Sequence, residues 1–191
     1  MTSPRLYLAG PEVFLPDAIA VGTAKAALCA QAGFEGVFPA DQSLDLKGLA
    51  KREIARRIYS ADEAMMRACD GAIANLTPFR GVSMDSGTAF EAGFMRALGK
   101  PVFGYTNTTL DYRARAALYR TLPPLPFEGD RPDLSIEDLD LAENLMIEVA
   151  VIASGAEVAR HDAAQPGRIA NLTGFKSALA MARRHFFQAS A

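Results

Sequence analysis

The chain has 191 residues, 50% of them hydrophobic, with a mean hydropathy of +0.06, which suits one soluble domain with a sizeable core. Twenty Lys and Arg against 22 Asp and Glu leave a net charge of −2. With no basic block or arginine-rich arm, nucleic acid is not an expected partner. Cys29 and Cys69 form no CxxC, and only His161 and His185 could join them, so neither a metal site nor a disulfide framework is expected. No charged segment leads into an apolar run at the N-terminus and no stretch reads as a membrane span, so a cytoplasmic location is expected.

Arg5 to Ala9 is short and apolar and stops at Gly10-Pro11, which predicts a buried strand ending in a turn. Asp17 to Ala32 has helical spacing and stops at Gly33, a C-terminal capping signal. Phe34 to Phe38 reads as a second strand. From Leu49 to Cys69 the residues Ile54, Ile58, Ala61, Met65 and Ala68 recur at steps of three and four, which predicts a long amphipathic helix. Ala72 to Leu76 is a third strand, Thr77 to Met84 a loop, Ser86 to Leu98 a helix ended by Gly99, and Val102 to Tyr105 a fourth strand. A Pro-rich loop over 123–132 precedes predicted helices at 135–154 and 174–188. Short strands alternating with helices indicate repeated βαβ units. The expected fold is an α/β, flavodoxin-like three-layer sandwich around a parallel sheet of four to five strands, in a single domain over 1–191.

In such sheets ligands bind beyond the carboxyl ends of the strands. The candidates taken from around the strand ends are Gly10, Pro11 and Glu12; Asp41 and Gln42; Asp70, before the third strand; and the loop Thr77 to Asp85. The stretch 85-DSGTAFEAGF-94 adds Glu91, about one and a half turns into its helix among Ala, Gly and Phe neighbours that leave little polar face. A half-buried carboxylate there needs a partner or a function. The preceding Gly87 and Thr88 are small and leave the surface toward which Glu91 leans unobstructed. Asp85 shares a pocket with Glu91 only if it is a non-helical N-cap.

The segments 7-YLAGPEVF-14, 69-CDGAIANLTPFRG-81, 85-DSGTAFEAGFMRALGKPVFGY-105 and 144-NLM-146 together resemble the nucleoside 2-deoxyribosyltransferase family, over roughly residues 5 to 146. The resemblance implies that Glu91 attacks C1′ of a 2′-deoxynucleoside, that Asp70 protonates the departing base, and that Tyr7 orients the nucleophile. It implies that Asp85 binds the sugar 5′-OH, and that Asn144 and Met146 reach the site from a neighbouring subunit of a homo-oligomer. Phe14 is expected to stack on the base beside Gly10 and Gly87. Asp41 and Gln42 resemble a base-contacting element, and are equally read as a polar strand-to-helix loop. The implied partners are nucleosides and nucleobases, with no cofactor.

Family members that hydrolyse deoxynucleoside 5′-monophosphates carry serine where Asp85 stands, so Asp85 favours unphosphorylated nucleosides, although Arg80, Ser83 and Ser86 would suit a phosphate. An N-glycoside hydrolase on the same scaffold and a non-catalytic nucleotide-binding module are the alternatives to a transferase.

Overall fold

In a computed structural model of the chain, residues 2–39, 44–124, 134–163 and 167–187 are described. Strands β1 (Arg5–Ala9), β2 (Glu35–Val37), β3 (Gly71–Asn75), β4 (Val102–Thr106) and β5 (Ala159–Arg160) form one parallel sheet in the order β2-β1-β3-β4-β5. Each neighbouring pair is parallel, with Tyr7 opposite Val37 on one side and Ala72 on the other. This is the doubly wound order, whose direction of winding reverses between β1 and β3.

The helices α1 (Ala18–Gln31), α2 (Lys51–Ala68), α3 (Ser86–Ala97), α4 (Tyr112–Arg120), α5 (Leu145–Ile152) and α6 (Thr173–Phe187) complete the fold. Alternation along β1 divides the core in two. Leu6 and Leu8 pack with Cys29 of α1 and with Phe175, Ala178 and Ala182 of α6. Tyr7 and Ala9 pack on the other face with Met66 of α2, Ala92 and Met95 of α3, and Val151 of α5. The result is the expected three-layer sandwich, and it places Tyr7 on the α3 side, where Glu91 also lies.

Strand and helix positions through residue 106 match expectation to within two residues. Gly33 after α1 and Gly99 after α3 hold φ of 92° and 73°, left-handed values that cost glycine little and other residues more. The 135–154 helix is shorter than expected, spanning only Leu145–Ile152. Upstream polar side chains offer the backbone another set of bonds. Asp140 adopts φ 55°, Glu148 accepts the Glu143 N–H at 3.1 Å, and Asn144 caps the helix by accepting the Met146 N–H at 3.0 Å. Asn144 is therefore a cap and not an interruption within a helix.

Two elements have no counterpart in the expected order. Helix α4 is capped by Asp111, whose side chain accepts the Ala114 N–H at 2.6 Å. Strand β5 has two residues, too few for any periodicity to show. Among the described residues, no helix is long and apolar enough to cross a membrane.

Candidate active site

A cavity of about 400 Å³ opens at the carboxyl ends of β1 and β2, bounded by the first turn of α3 and one face of α2. Its apolar wall is formed by Val13, Phe14, Pro39, Leu44, Leu46 and Ile58; its polar lining includes Asp62, Asp85, Thr88 and Glu91. Gly10 and Gly87 also face it. The volume falls within the usual range for small-molecule sites.

Glu91 meets Tyr7 across the sheet-helix interface. The Tyr7 hydroxyl donates to Glu91 Oε1 at 2.7 Å. Burial pushes the Glu91 carboxyl up to about 7, a rise that the Tyr7 hydrogen bond opposes and the nearby Asp62, Asp85 and Glu12 reinforce. Burial, and then Glu91 itself, push the Tyr7 hydroxyl far above its ordinary range. Tyr7 therefore remains a donor, and Glu91 changes charge near neutrality.

Asp85 is the N-cap of α3, with extended φ −63° and ψ 134°, and accepts from the Thr88 N–H at 3.0 Å and the Thr88 hydroxyl at 3.2 Å. This is the non-helical geometry that lets Asp85 and Glu91 line one cavity. At Gly87 an added Cβ would sit 3.0 Å from Asp85 Oδ2, and at Gly10 one would sit 1.9 Å from Glu12 Oε2. Phe14 stacks on Phe79 with centroids 5.4 Å apart, and the Arg80 guanidinium lies 4.9 Å and 4.5 Å from the two ring centroids.

Beside Gly10 lies a buried charge pair. Glu12 is 0% and Lys25 1% exposed, and Lys25 Nζ bonds Glu12 Oε1. The same oxygen accepts from Asn75 Nδ2 and the Tyr105 hydroxyl, each at 2.8 Å. Lys25 also lies 5.0 Å from the Phe175 ring centroid. These partners offset the cost of desolvating two charges.

The structure corrects the position of one expected catalytic residue. Asp70 precedes β3, so it sits at the amino-terminal edge of a parallel sheet, opposite the cavity. It is exposed and accepts the Arg5 N–H at 2.7 Å, near Glu35 and Ala68. The carboxylate that α2 does bring to the cavity is Asp62. About 9 Å of helix axis separates Asp62 from Ala68, at 1.5 Å per residue. The signal was present in the sequence, because Asp62 stands four residues from both Ile58 and Met66 on the inward-facing stripe of α2.

Asn144 and Met146 do not line the cavity of their own chain. Asn144 Nδ2 donates to Glu137 Oε1 at 2.8 Å, and Met146 is 72% exposed. Asp41 and Gln42 lie outside the described residues.

A family model for nucleoside 2-deoxyribosyltransferase matches residues 6–146. An uncharacterized protein of Schizosaccharomyces pombe is 35% identical over 170 residues, 82% of this chain and 81% of its own length. Among solved structures, the 2-desoxiribosyltransferase from Leishmania mexicana superposes with a TM-score of 0.68 at 29% identity, over 96% of this chain and 99% of its own. A conserved protein from Enterococcus faecalis shares the fold, with a TM-score of 0.54 at 18% identity, over 94% of this chain and 99% of its own. Together with the Tyr7–Glu91 pair at the mouth of a doubly wound sheet, the match over residues 6–146 leads to one conclusion: the chain belongs to the nucleoside 2-deoxyribosyltransferase family.

Proposed function

We propose that this protein moves 2-deoxyribose between nucleobases through a covalent deoxyribosyl-Glu91 intermediate. The observation that carries the reading is the Tyr7–Glu91 hydrogen bond of 2.7 Å beside a nucleoside-sized cavity. Ionised Glu91 attacks C1′, the C1′–N bond breaks, and its electron pair leaves with the base. Asp62, the acid that shares the cavity, supplies the proton to the departing nitrogen. The incoming base then attacks C1′ from the face just vacated, its N–H proton passes back to Asp62, and the Glu91 carboxylate is released. Two inversions give net retention.

Three carboxylates around one cavity argue for an unphosphorylated nucleoside, since each would repel a phosphate dianion. Ser83 is engaged elsewhere, donating to Glu143 Oε1 at 2.6 Å, and Arg80 stacks on Phe14 and Phe79. On this reading the exposed part of Phe14 carries the base and Asp85 takes the 5′-OH. Met146, Val149 and Ile152 are 72%, 49% and 46% exposed on α5; an apolar helix face of this kind supports burial against a second copy. Asn144 and Met146 of that copy would complete the sugar end of the site in a homo-oligomer.

The test is to incubate the protein with deoxyinosine, with and without adenine, and to follow products by chromatography. Deoxyadenosine formed only with adenine is the expected result. Hypoxanthine released at the same rate with or without adenine would make the protein a hydrolase, and no turnover of either kind would reject the proposal. Repeating the reaction with deoxyinosine 5′-monophosphate tests the argument from the carboxylates.

A further inference from the structure

The loop in front of Asp85 is held by a carboxylate from the segment that leads into α5. Glu143 is fully buried. Its Oε1 accepts from the Ser83 hydroxyl at 2.6 Å and from the Asn144 N–H at 2.9 Å; its Oε2 accepts from the Met84 N–H at 3.0 Å and from Arg115 Nη2 at 3.2 Å. Arg115, 8% exposed, donates Nε to the Val82 carbonyl at 2.7 Å, Nη1 to Leu110 at 2.6 Å and Nη2 to Ala142 at 2.7 Å. Three consecutive residues, Val82, Ser83 and Met84, are thus bonded to one buried ion pair, and the next residue is Asp85. Removing the carboxylate would leave the Met84 N–H, the Ser83 hydroxyl and the Arg115 cation without a shared buried acceptor.

We infer that Glu143, braced by Arg115, is a positioning residue that sets where the Asp85 carboxylate meets the sugar. Its Oε1 also accepts from the N-cap residue of α5, so the segment that presents Asn144 and Met146 at the surface is tied to the segment that presents Asp85 to the cavity. In a homo-oligomer one side chain would thus register Asp85 in its own chain's site and the Asn144–Met146 segment offered to the neighbouring site. The inference rests on the transferase reading for its kinetic consequence, and on hydrogen bonding alone for its structural one.

The experiment compares wild type, Glu143→Gln, Glu143→Leu and Ser83→Ala by amide hydrogen exchange over residues 83–88 and by kcat/KM on a 2′-deoxynucleoside and its 2′,5′-dideoxy counterpart. In Glu143→Leu, exchange should rise about tenfold, and kcat/KM for the substrate bearing the 5′-OH should fall about tenfold while the dideoxy substrate changes by less than about twofold. Glu143→Gln keeps an acceptor for Met84 and should recover most of both. If Glu143→Leu does not fold, Ser83→Ala, which removes only one hydroxyl, should still raise exchange and lower the 5′-OH selectivity about threefold. Unchanged exchange in every folded variant overturns the inference, as does an equal loss on both substrates. If wild type turns over no nucleoside, the transferase reading has failed, and the exchange measurements alone then decide the role of Glu143.

Discussion

Glu91 places a site carboxylate where its charge is costly, so replacing it with glutamine should stabilise the protein, and only above a particular pH. The folded carboxyl is held at about 7 against an ordinary 4.5, first by burial. Between these values the folded chain keeps a proton that the unfolded chain releases, so stability is full below 4.5 and declines as pH rises toward and through 7. At 1.36 kcal/mol per pH unit the gap corresponds to about 3 kcal/mol. Because Glu91 partly faces the open cavity, solvent screening lowers the expected figure to about 2 kcal/mol. Glutamine keeps the shape without the charge. Glu91→Gln should therefore melt about 4–8 °C above wild type at pH 8.5 and within about 2 °C of it at pH 4.5. Thermal unfolding followed by circular dichroism across this range is the assay. A melting difference that is the same at both ends of the range would refute the claim that burial of the Glu91 charge is a large cost.

The same titration should appear in catalysis: kcat/KM should climb with pH through about 7, as Glu91 ionises. Tyr7→Phe, which removes a bond that lowers the Glu91 value, should move that climb to higher pH; a limb that stays in place would detach Tyr7 from the nucleophile. Asp62→Asn should lower kcat about 10²- to 10⁴-fold if it supplies the proton, and Asp70→Asn should leave kcat within about twofold of wild type because the group lies at the other edge of the sheet. The reverse ranking would restore Asp70. Lys25→Met strands Glu12 as a buried charge without its cation and should cost about 3–5 kcal/mol by urea unfolding; a loss under about 1 kcal/mol would show that Asn75 and Tyr105 suffice.

What could be read from the sequence depended on whether the signal was local. Strand ends, glycine caps and the Asp85 N-cap are set by a few adjacent residues, which makes Gly10, Asp85, Gly87 and Glu91 legible locally, whereas Tyr7 and Phe14 are marked by the family resemblance. Asp70 stands next to a strand and the resemblance gives it the proton, but a parallel sheet has a direction, and the residue before a strand lies away from the ligand edge. Asp62 stands on the inward stripe with Ile58 and Met66, but periodicity shows only which face of α2 turns inward, and which polar residue on that face reaches a cavity depends on how α2 packs. Lys25 and Glu12, or Arg115 and Glu143, are joined by tertiary folding across 13 and 28 residues, and no local rule pairs them. The helix expected over 135–154 is cut short because Asp140 takes a left-handed φ of 55° and the Glu143 and Glu148 carboxylates accept the backbone N–H groups of Asn144 and Glu143.

The carboxylates also connect the stability argument to the proposed chemistry. Asp62, Asp85 and Glu12 each push the Glu91 carboxyl upward by mutual repulsion, a penalty with no benefit in a protein that only folds. Glycosyl transfer passes through a sugar with positive charge spread over C1′ and the ring oxygen. That cation would form in the cavity that Glu91 and Asp85 line, where repulsion between the two carboxylates becomes attraction toward the reacting carbon. An interaction that is unfavourable in the free enzyme and favourable in the transition state lowers the barrier rather than merely tightening substrate binding. On the proposed reading, the part of the Glu91 rise that comes from a neighbouring carboxylate, which adds to the larger part from burial, is therefore recovered in the rate of bond cleavage. Neutralising Asp85, as in Asp85→Asn, should consequently lower both together, moving the ascending pH limb downward while slowing the chemical step, a combination that loss of a 5′-OH contact alone does not produce.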